Sequence, residues 1–311
     1  MASADGRAEL QRYAFAGVTI ESLLPFFTLD AERAAPDAPT IHVALADRPV
    51  EAAGQMLWRS PPDASEPFVT ASRCAGELQM TFAELGTFVI TSDGRSIACQ
   101  PQEEVAMASI EQLLVDQVLP RALHLAGRPC LHGSAVRLAD GRAVAVVGPS
   151  GSGKSTLAAR LCDRGATLLC DDALALEVTP DGIVVHPAYA SVRLWPDSAH
   201  AIAGGEDLPP AAPHTDKRRL ARLGAFEPAR LQTLWLVEPA VDLASEDVAA
   251  QEAISLLARH VHRLDPDAAD AMRAEFALFT AVVARCAVKR LQLAHDFERL
   301  DQVVDRLLAA S

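Results

Sequence analysis

Positive charge is in short supply in this chain of 311 residues: 28 Lys and Arg stand against 41 Asp and Glu, a formal net charge of −13. Nucleic acids and anionic membranes ask for a basic face, so neither is an expected partner. No apolar run is long enough to cross a bilayer. Residues 1–12 are polar and mixed in charge, with no apolar centre of the kind that directs export. The six cysteines, Cys74, Cys99, Cys130, Cys162, Cys170 and Cys286, show no C-x-x-C spacing. That pattern speaks against a zinc site and a disulfide framework and for reduced, small apolar side chains. Together these absences predict a cytoplasmic protein. The remaining composition, 50% apolar and 22% charged, is that of a globular chain with room for two domains and a full core.

The most informative stretch is 143–172, AVAVVGPSGSGKSTLAARLCDRGATLLCDD. Residues 144–147 read as a buried strand, residues 148–155 satisfy G-x-x-x-x-G-K-[ST], and residues 155–162 read as a helix, in the order a phosphate-binding loop requires. Gly148, Gly151 and Gly153, with Ser150 and Ser152 between them, let backbone N–H groups turn inward around an anion. Lys154 adds a point charge for the phosphates, the Ser155 hydroxyl can ligate Mg²⁺, and Thr156 follows in the first helical turn. Asp171 and Asp172 close the short strand 166–170, which brings a metal ligand and a base back toward that loop. Upstream, Leu131-His132-Gly133 opens a strand over 134–138, joined to the loop strand as a hairpin across Asp140-Gly141.

The rest of the chain supplies a frame. Residues 13–20 read as a strand and 21–27 as an apolar turn or short helix, followed by an alanine- and proline-rich stretch over 31–38 and a strand over 41–45. A meander follows, with strands near 77–82, 87–91 and 96–100. Residues 107–126 carry Ile110, Leu113, Leu114, Val118, Ala122 and Leu125 at helical spacing, which predicts one long helix kinked at Pro120. Residues 1–105 therefore read as a small, mostly β domain for recognition or assembly, and 106–311 as the domain that carries the chemistry. Past the carboxylate pair come a hairpin over 173–178 and 183–185 and then Arg193, set among apolar residues where it can face the site. Residues 201–213 read as a mobile loop leading to the one dense basic cluster, 214–219, from which Lys217 and Arg219 are the candidates for contact with phosphate. A buried strand over 231–237, helices over 252–259 and 267–284, a strand over 288–293 and a helix over 297–308 complete the chain. His260 and His262 read as structural.

A His-Gly before a hairpin strand, the phosphate loop, and the segment Arg164-Gly165-Ala166-Thr167-Leu168-Leu169-Cys170-Asp171-Asp172 together resemble the catalytic domain of HPr kinase/phosphorylase. That group also contains kinases of lasso-peptide precursors and shares its fold with ATP-dependent phosphoenolpyruvate carboxykinase. The resemblance covers roughly residues 130–200. It implies a mixed α/β P-loop kinase core that uses ATP and Mg²⁺ to phosphorylate a serine or threonine of a protein or peptide, and a tendency to form homo-oligomers. Carried over, Lys154 and Ser155 hold phosphates and Mg²⁺, Asp171 takes the acceptor's proton, Asp172 assists at the metal, and His132 tunes the carboxylates. The sequence departs at Pro149, where the family carries an acidic residue, and at Thr156, where it carries Glu or Gln. The family's signature for dephosphorylation is also missing, which favours a kinase without phosphorylase activity. A small-molecule kinase, a carboxykinase-like enzyme and a non-catalytic ATP-binding regulator remain as alternatives. A transporter ATPase is disfavoured by the missing Gly-Gly-Gln signature and by the absence of a late strand ending in Asp-Glu.

Overall fold

The structure is a computed structural model that describes residues 9–31, 34–50, 54–221, 224–225, 227–294 and 296–309. Residues 1–8 of the polar start and 32–33 of the alanine- and proline-rich stretch lie outside the described residues. The fold is mixed α/β, built on two large sheets.

The first sheet holds β1 (Gln11–Phe15), β2 (Val18–Ser22), β3 (Thr40–Leu45), β4 (Gln55–Ser60), β5 (Val69–Cys74), β6 (Glu77–Phe82), β7 (Gly86–Ile90) and β8 (Ser96–Pro101). Their order is β1-β2-β3-β8-β7-β6-β5-β4, with β3 parallel to β2 and β8 and every other pair antiparallel. The strand expected over 13–20 is a hairpin. Ala16 and Gly17 make its two-residue turn at φ 52° and 81°, and an alanine where Asn or Asp usually marks such a turn let the apolar pattern run on unbroken.

The long helix expected over 107–126 is in three pieces: α1 (Met107–Leu113), a π-helical turn over 114–118, and α2 (Leu119–Leu125). Pro120 has no N–H to give the carbonyl of residue 116, and the chain widens ahead of it, with the Leu119 N–H reaching back to the Leu114 carbonyl. Ile110, Leu114, Val118 and Leu123 bury into the same core as Phe15, Ile20, Met80 and Phe88 of the first sheet.

The second sheet holds β9 (Cys130–Leu131), β10 (Gly133–Arg137), β11 (Ala143–Val147), β12 (Thr167–Cys170), β13 (Leu174–Thr179) and β14 (Gly182–Val185). A separate two-stranded ribbon is formed by β15 (Ser191–Leu194) and β16 (Arg218–Ala221); β17 (Ala229–Pro239), β18 (Ala244–Asp247) and β19 (Ala287–Leu293) return to the large sheet. Its path is β12-β10-β11-β17-β14-β13-β9, and β19 lies parallel along β17 with β18 beside it. Helices α3 (Lys154–Asp163), α4 (Pro196–Ala203) and α7 (Leu300–Ala309) cover one face, and α5 (Ala250–Leu257) and α6 (Ala269–Arg285) the other.

Strand alternation sorts the central residues between those layers. Val144, Val146, Trp235 and Val237 pack with Leu157 and Val304, while Ala145, Val147, Leu234 and Leu236 pack with Leu257 and Phe279. Strands buried on both faces read as unbroken apolar runs, which is why β11 and β17 were visible in the sequence. The region expected to be a loop over 201–213 begins inside α4, which ends at Gly204 in the left-handed region at φ 62°. No described helix is long and apolar enough to span a membrane.

Candidate active site

β11 ends at Val147 and α3 begins at Lys154, so the glycine loop between them sits at the C-terminal edge of the sheet. Gly151 and Gly153 hold φ values of 77° and 90°, which Cβ-bearing residues rarely adopt. Gly148 is required for a different reason: a Cβ there would lie 2.6 Å from the Val237 carbonyl oxygen. The loop therefore lies against β17, and its N–H groups and the N-terminus of α3 share one concavity. Lys154 folds across the loop and donates from Nζ to the Pro149 carbonyl at 2.8 Å. Burial pushes its pKa down to about 8, against the pull of Asp172 and Asp171.

The cleft over this loop is partly open to solvent and is lined by polar and apolar side chains together. Ser150, Gly151, Gly153, Lys154, Ser155 and Thr156 line one wall; Gly148 and Ser152 lie behind it. His132, Asp172, Arg193 and Lys217 line the same cleft. An apolar end is made by Trp195, Leu293, Phe297 and Leu300. Lys154, Arg193 and Lys217 thus act on Asp172, while a second carboxylate, Asp296, lines the cleft next to Phe297. Ser152 Oγ and Arg193 Nε are buried and make no hydrogen bond among the described residues, so two donors are in reserve beside the loop.

The two adjacent aspartates part company. Asp171 is fully buried. Its Oδ1 accepts from Ser134 Oγ at 2.6 Å and from Ser155 Oγ at 2.9 Å, and its Oδ2 accepts from the Arg193 backbone N–H at 3.1 Å. Burial and the neighbouring Asp172 raise its pKa, with Ser134 and Arg193 working the other way. Asp171 is the residue expected to take the acceptor's proton; in the structure it is fully buried, is not among the residues lining the cleft, and accepts from the Ser155 hydroxyl. Asp172 is the carboxylate that faces the cleft. Burial works to raise its pKa, but Lys217, His132, Arg193 and Lys154 outweigh burial and hold it well below the usual carboxylate range. Arg193 Nη2 lies 3.7 Å and Lys217 Nζ 4.0 Å from Asp172 Oδ2.

Asp172 has a φ of 61°, a left-handed conformation at the end of a strand. Such strain persists where surroundings enforce it, and both carbonyls of the pair are gripped. The Tyr189 hydroxyl donates to the Asp171 carbonyl, and His262 Nε2 donates to the Asp172 carbonyl at 3.0 Å. His262 is buried, burial drives its pKa well below the ordinary value, and its ring lies 5.6 Å edge-on from that of His132. It was read as merely structural; its structural task is at the site. His132, between β9 and β10, sets Nδ1 3.6 Å from Asp172 Oδ1. Burial pushes His132 down to about 4 despite Asp172, so the imidazole is neutral at physiological pH and Lys217, Arg193 and Lys154 are what keep Asp172 charged there.

Of the remaining candidates, Arg193 and Lys217 are in the cleft, and Lys217 Nζ sits 5.5 Å over the Trp195 ring. Arg219 pairs with Arg193 across the β15–β16 ribbon but is exposed and lies outside the lining. Asp116, Ser134 and Tyr189 were not anticipated. Ser134 and Tyr189 carry no local signal. Asp116 does: a carboxylate inside the apolar run Leu-Leu-Val-Asp-Gln-Val-Leu has to be paired once buried.

No family model and no curated protein matches the sequence. Among solved structures, the Hpr(Ser) kinase/phosphatase from Coxiella burnetii matches over 58% of this chain and 88% of its own, at 14% identity and a TM-score of 0.31. A likeness at that level reaches no further than a distant relation of fold, and the residues of the cleft carry the functional reading by themselves.

Proposed function

We propose that the protein is a P-loop kinase that transfers the γ-phosphoryl group of ATP to a hydroxyl, with serine or threonine of a protein or peptide as the acceptor class. The observation that carries this reading is the convergence on one cleft of a glycine loop with its lysine and the Asp172 carboxylate flanked by two further cations. Phosphoryl transfer needs just those parts: cations around the transferred group and one carboxylate at the attacking oxygen.

In this reading the loop N–H groups and Lys154 hold the β and γ phosphates, and Arg193 and Lys217 lie over the transferred group. Asp172 accepts the hydrogen bond, and then the proton, of the acceptor hydroxyl. Neutral His132 lies beside Asp172, where it can orient that hydroxyl. The donor set suits Mg²⁺: among the described residues no cluster of three metal-ligating His, Cys, Asp or Glu exists, and Mg²⁺ bound through phosphates needs only one or two protein oxygens. Ser155 Oγ is the first of these. Its hydrogen points to Asp171, so its lone pairs are free for the cation, which when bound neutralises phosphate charge. The reading divides the roles expected of the pair differently, with Asp172 at the acceptor and Asp171 behind Ser155.

The test uses labelled ATP, Mg²⁺ and a panel of Ser- and Thr-containing peptides and proteins beside a metabolite pool. Asp172→Asn is expected to lower transfer by about 10²–10⁴-fold with Mg²⁺-ATP affinity within about threefold of wild type. Undiminished transfer by that variant would sink the assignment, and label appearing only in metabolites would replace the acceptor class.

A further inference from the structure

The helix that joins the two sheets reaches the cleft through one side chain. Asp116 sits on the π-helical turn, 7% exposed, and its Oδ1 pairs with Arg193 Nη2; the Tyr189 hydroxyl, whose hydrogen goes to the Asp171 carbonyl, lies 3.4 Å away. Arg193 Cζ lies over the Tyr189 ring, 4.6 Å from its centroid. The same Nη2 is 3.7 Å from Asp172 Oδ2. Arg193 is thus a buried cation between two carboxylates, one facing the cleft and one behind it.

That arrangement settles a competition. A guanidinium with one carboxylate in reach closes on it bidentately, and Arg193 closed on Asp172 would occupy both the charge meant for phosphate and the carboxylate meant for the acceptor. Asp116 offers the same fork a second carboxylate behind the cleft lining, although burial raises its pKa to about 7 against the pull of Arg193, and the Tyr189 ring packs against the guanidinium. We infer that Asp116 is a positioning residue, which anchors Arg193 at the wall of the cleft and keeps its fork from closing on Asp172. The inference rests on the nucleotide-site reading above. The widened helical turn that carries Asp116 is of a kind that recurs at functional sites.

The experiment is a double-mutant cycle on Mg²⁺-ATP affinity, by calorimetric titration of wild type, Asp116→Asn, Arg193→Gln and the double variant. Arg193→Gln is expected to weaken binding about tenfold, Asp116→Asn about three- to fivefold, and the pair no more than Arg193→Gln alone. A residue needed only for folding would lower the melting temperature in both backgrounds and leave affinity unmoved. Wild-type affinity in Asp116→Asn overturns the inference, as does a loss that persists in full when Arg193 is already gone. Should Asp116→Asn fail to fold, Asp116→Glu, which keeps the charge but moves it by one methylene from Arg193, takes its place in the cycle under the same two criteria. Coupled binding without transfer to any acceptor would sink the kinase reading and leave this one standing; transfer without coupling would do the reverse.

Discussion

Hydrogen-bond polarity at Ser155 is decided by what lies behind it. The Arg193 backbone N–H can only donate, so Asp171 must present an acceptor to it, and the other carboxylate oxygen is left for the two serine hydroxyls. Asp171→Asn would turn its oxygen to that N–H and its amide to the serines. Ser155 would then accept from residue 171 and aim its own hydrogen into the cleft. The expected outcome is a protein of near-normal melting temperature whose ATP affinity no longer rises with Mg²⁺, read by titrating ATP with and without the cation; a retained Mg²⁺ effect would refute the argument. Gly148 gives a second case at this scale. Gly148→Ala places a methyl 2.6 Å from the Val237 carbonyl and 3.0 Å from Ser152 Oγ. It should force the loop off β17 and weaken ATP binding about tenfold, whereas unchanged affinity would show that the loop has room to give.

The glycines, Lys154, the aspartate pair and His132 were legible as candidates because they cluster along the chain, in or beside one strand–loop–helix unit. Which aspartate would face the cleft was not legible. Adjacent residues on a strand point to opposite sides, but Asp172 leaves the strand in a left-handed turn held by Tyr189 and His262, from distant parts of the sequence.

Among the elements, those buried on both faces announced themselves and those shaped by turns did not. The apolar runs of β11 and β17 needed no partner to be read, whereas the β1–β2 hairpin and the π-helical turn depend on backbone conformations that alanine and proline only hint at. The helices also hold one another by charge. His124 on α2 and Glu275 on α6 are both buried and bonded at 3.1 Å, and Arg263 donates to the same carboxylate from Nε at 2.8 Å. Burial works to raise the pKa of Glu275, but the bonds to His124 and Arg263 outweigh it and the pKa is lowered. A carboxylate depressed in the folded state adds stability above its unfolded pKa, about 4.5, and loses it as pH falls through the folded value. Glu275→Gln should therefore cost about 3 kcal/mol at pH 7, and the gap to wild type should narrow as pH drops below about 4.5. Urea denaturation of both proteins from pH 7 to pH 3 measures it, and a gap that stays constant would mean that the charge is not what locks α2 to α6.

At the scale of the whole molecule, the two sheets meet through the segment that a reading by domains would cut. The expected division near residue 105 falls between β8 and α1, yet α1, the π-helical turn and α2 give Ile110, Leu114, Val118, Leu119 and Leu123 to the core of the first sheet. Cys130, Ala173, Ala175 and Tyr189, on the side of the cleft, belong to that same buried cluster. Removing residues 1–105 would uncover these side chains at about 1.5–3 kcal/mol for each large one, more than a chain of ordinary stability can lose. It would also strip the cover from the turn that holds Asp116 against Arg193. The fragment 106–311 is therefore expected to be insoluble, or to bind a hydrophobic dye and melt without cooperativity. Co-expression with residues 1–105 as a separate chain should restore a soluble complex that binds ATP. A fragment that folds cooperatively by itself and binds ATP at wild-type affinity would show that the first sheet is an appendage, with no part in holding the cleft in shape.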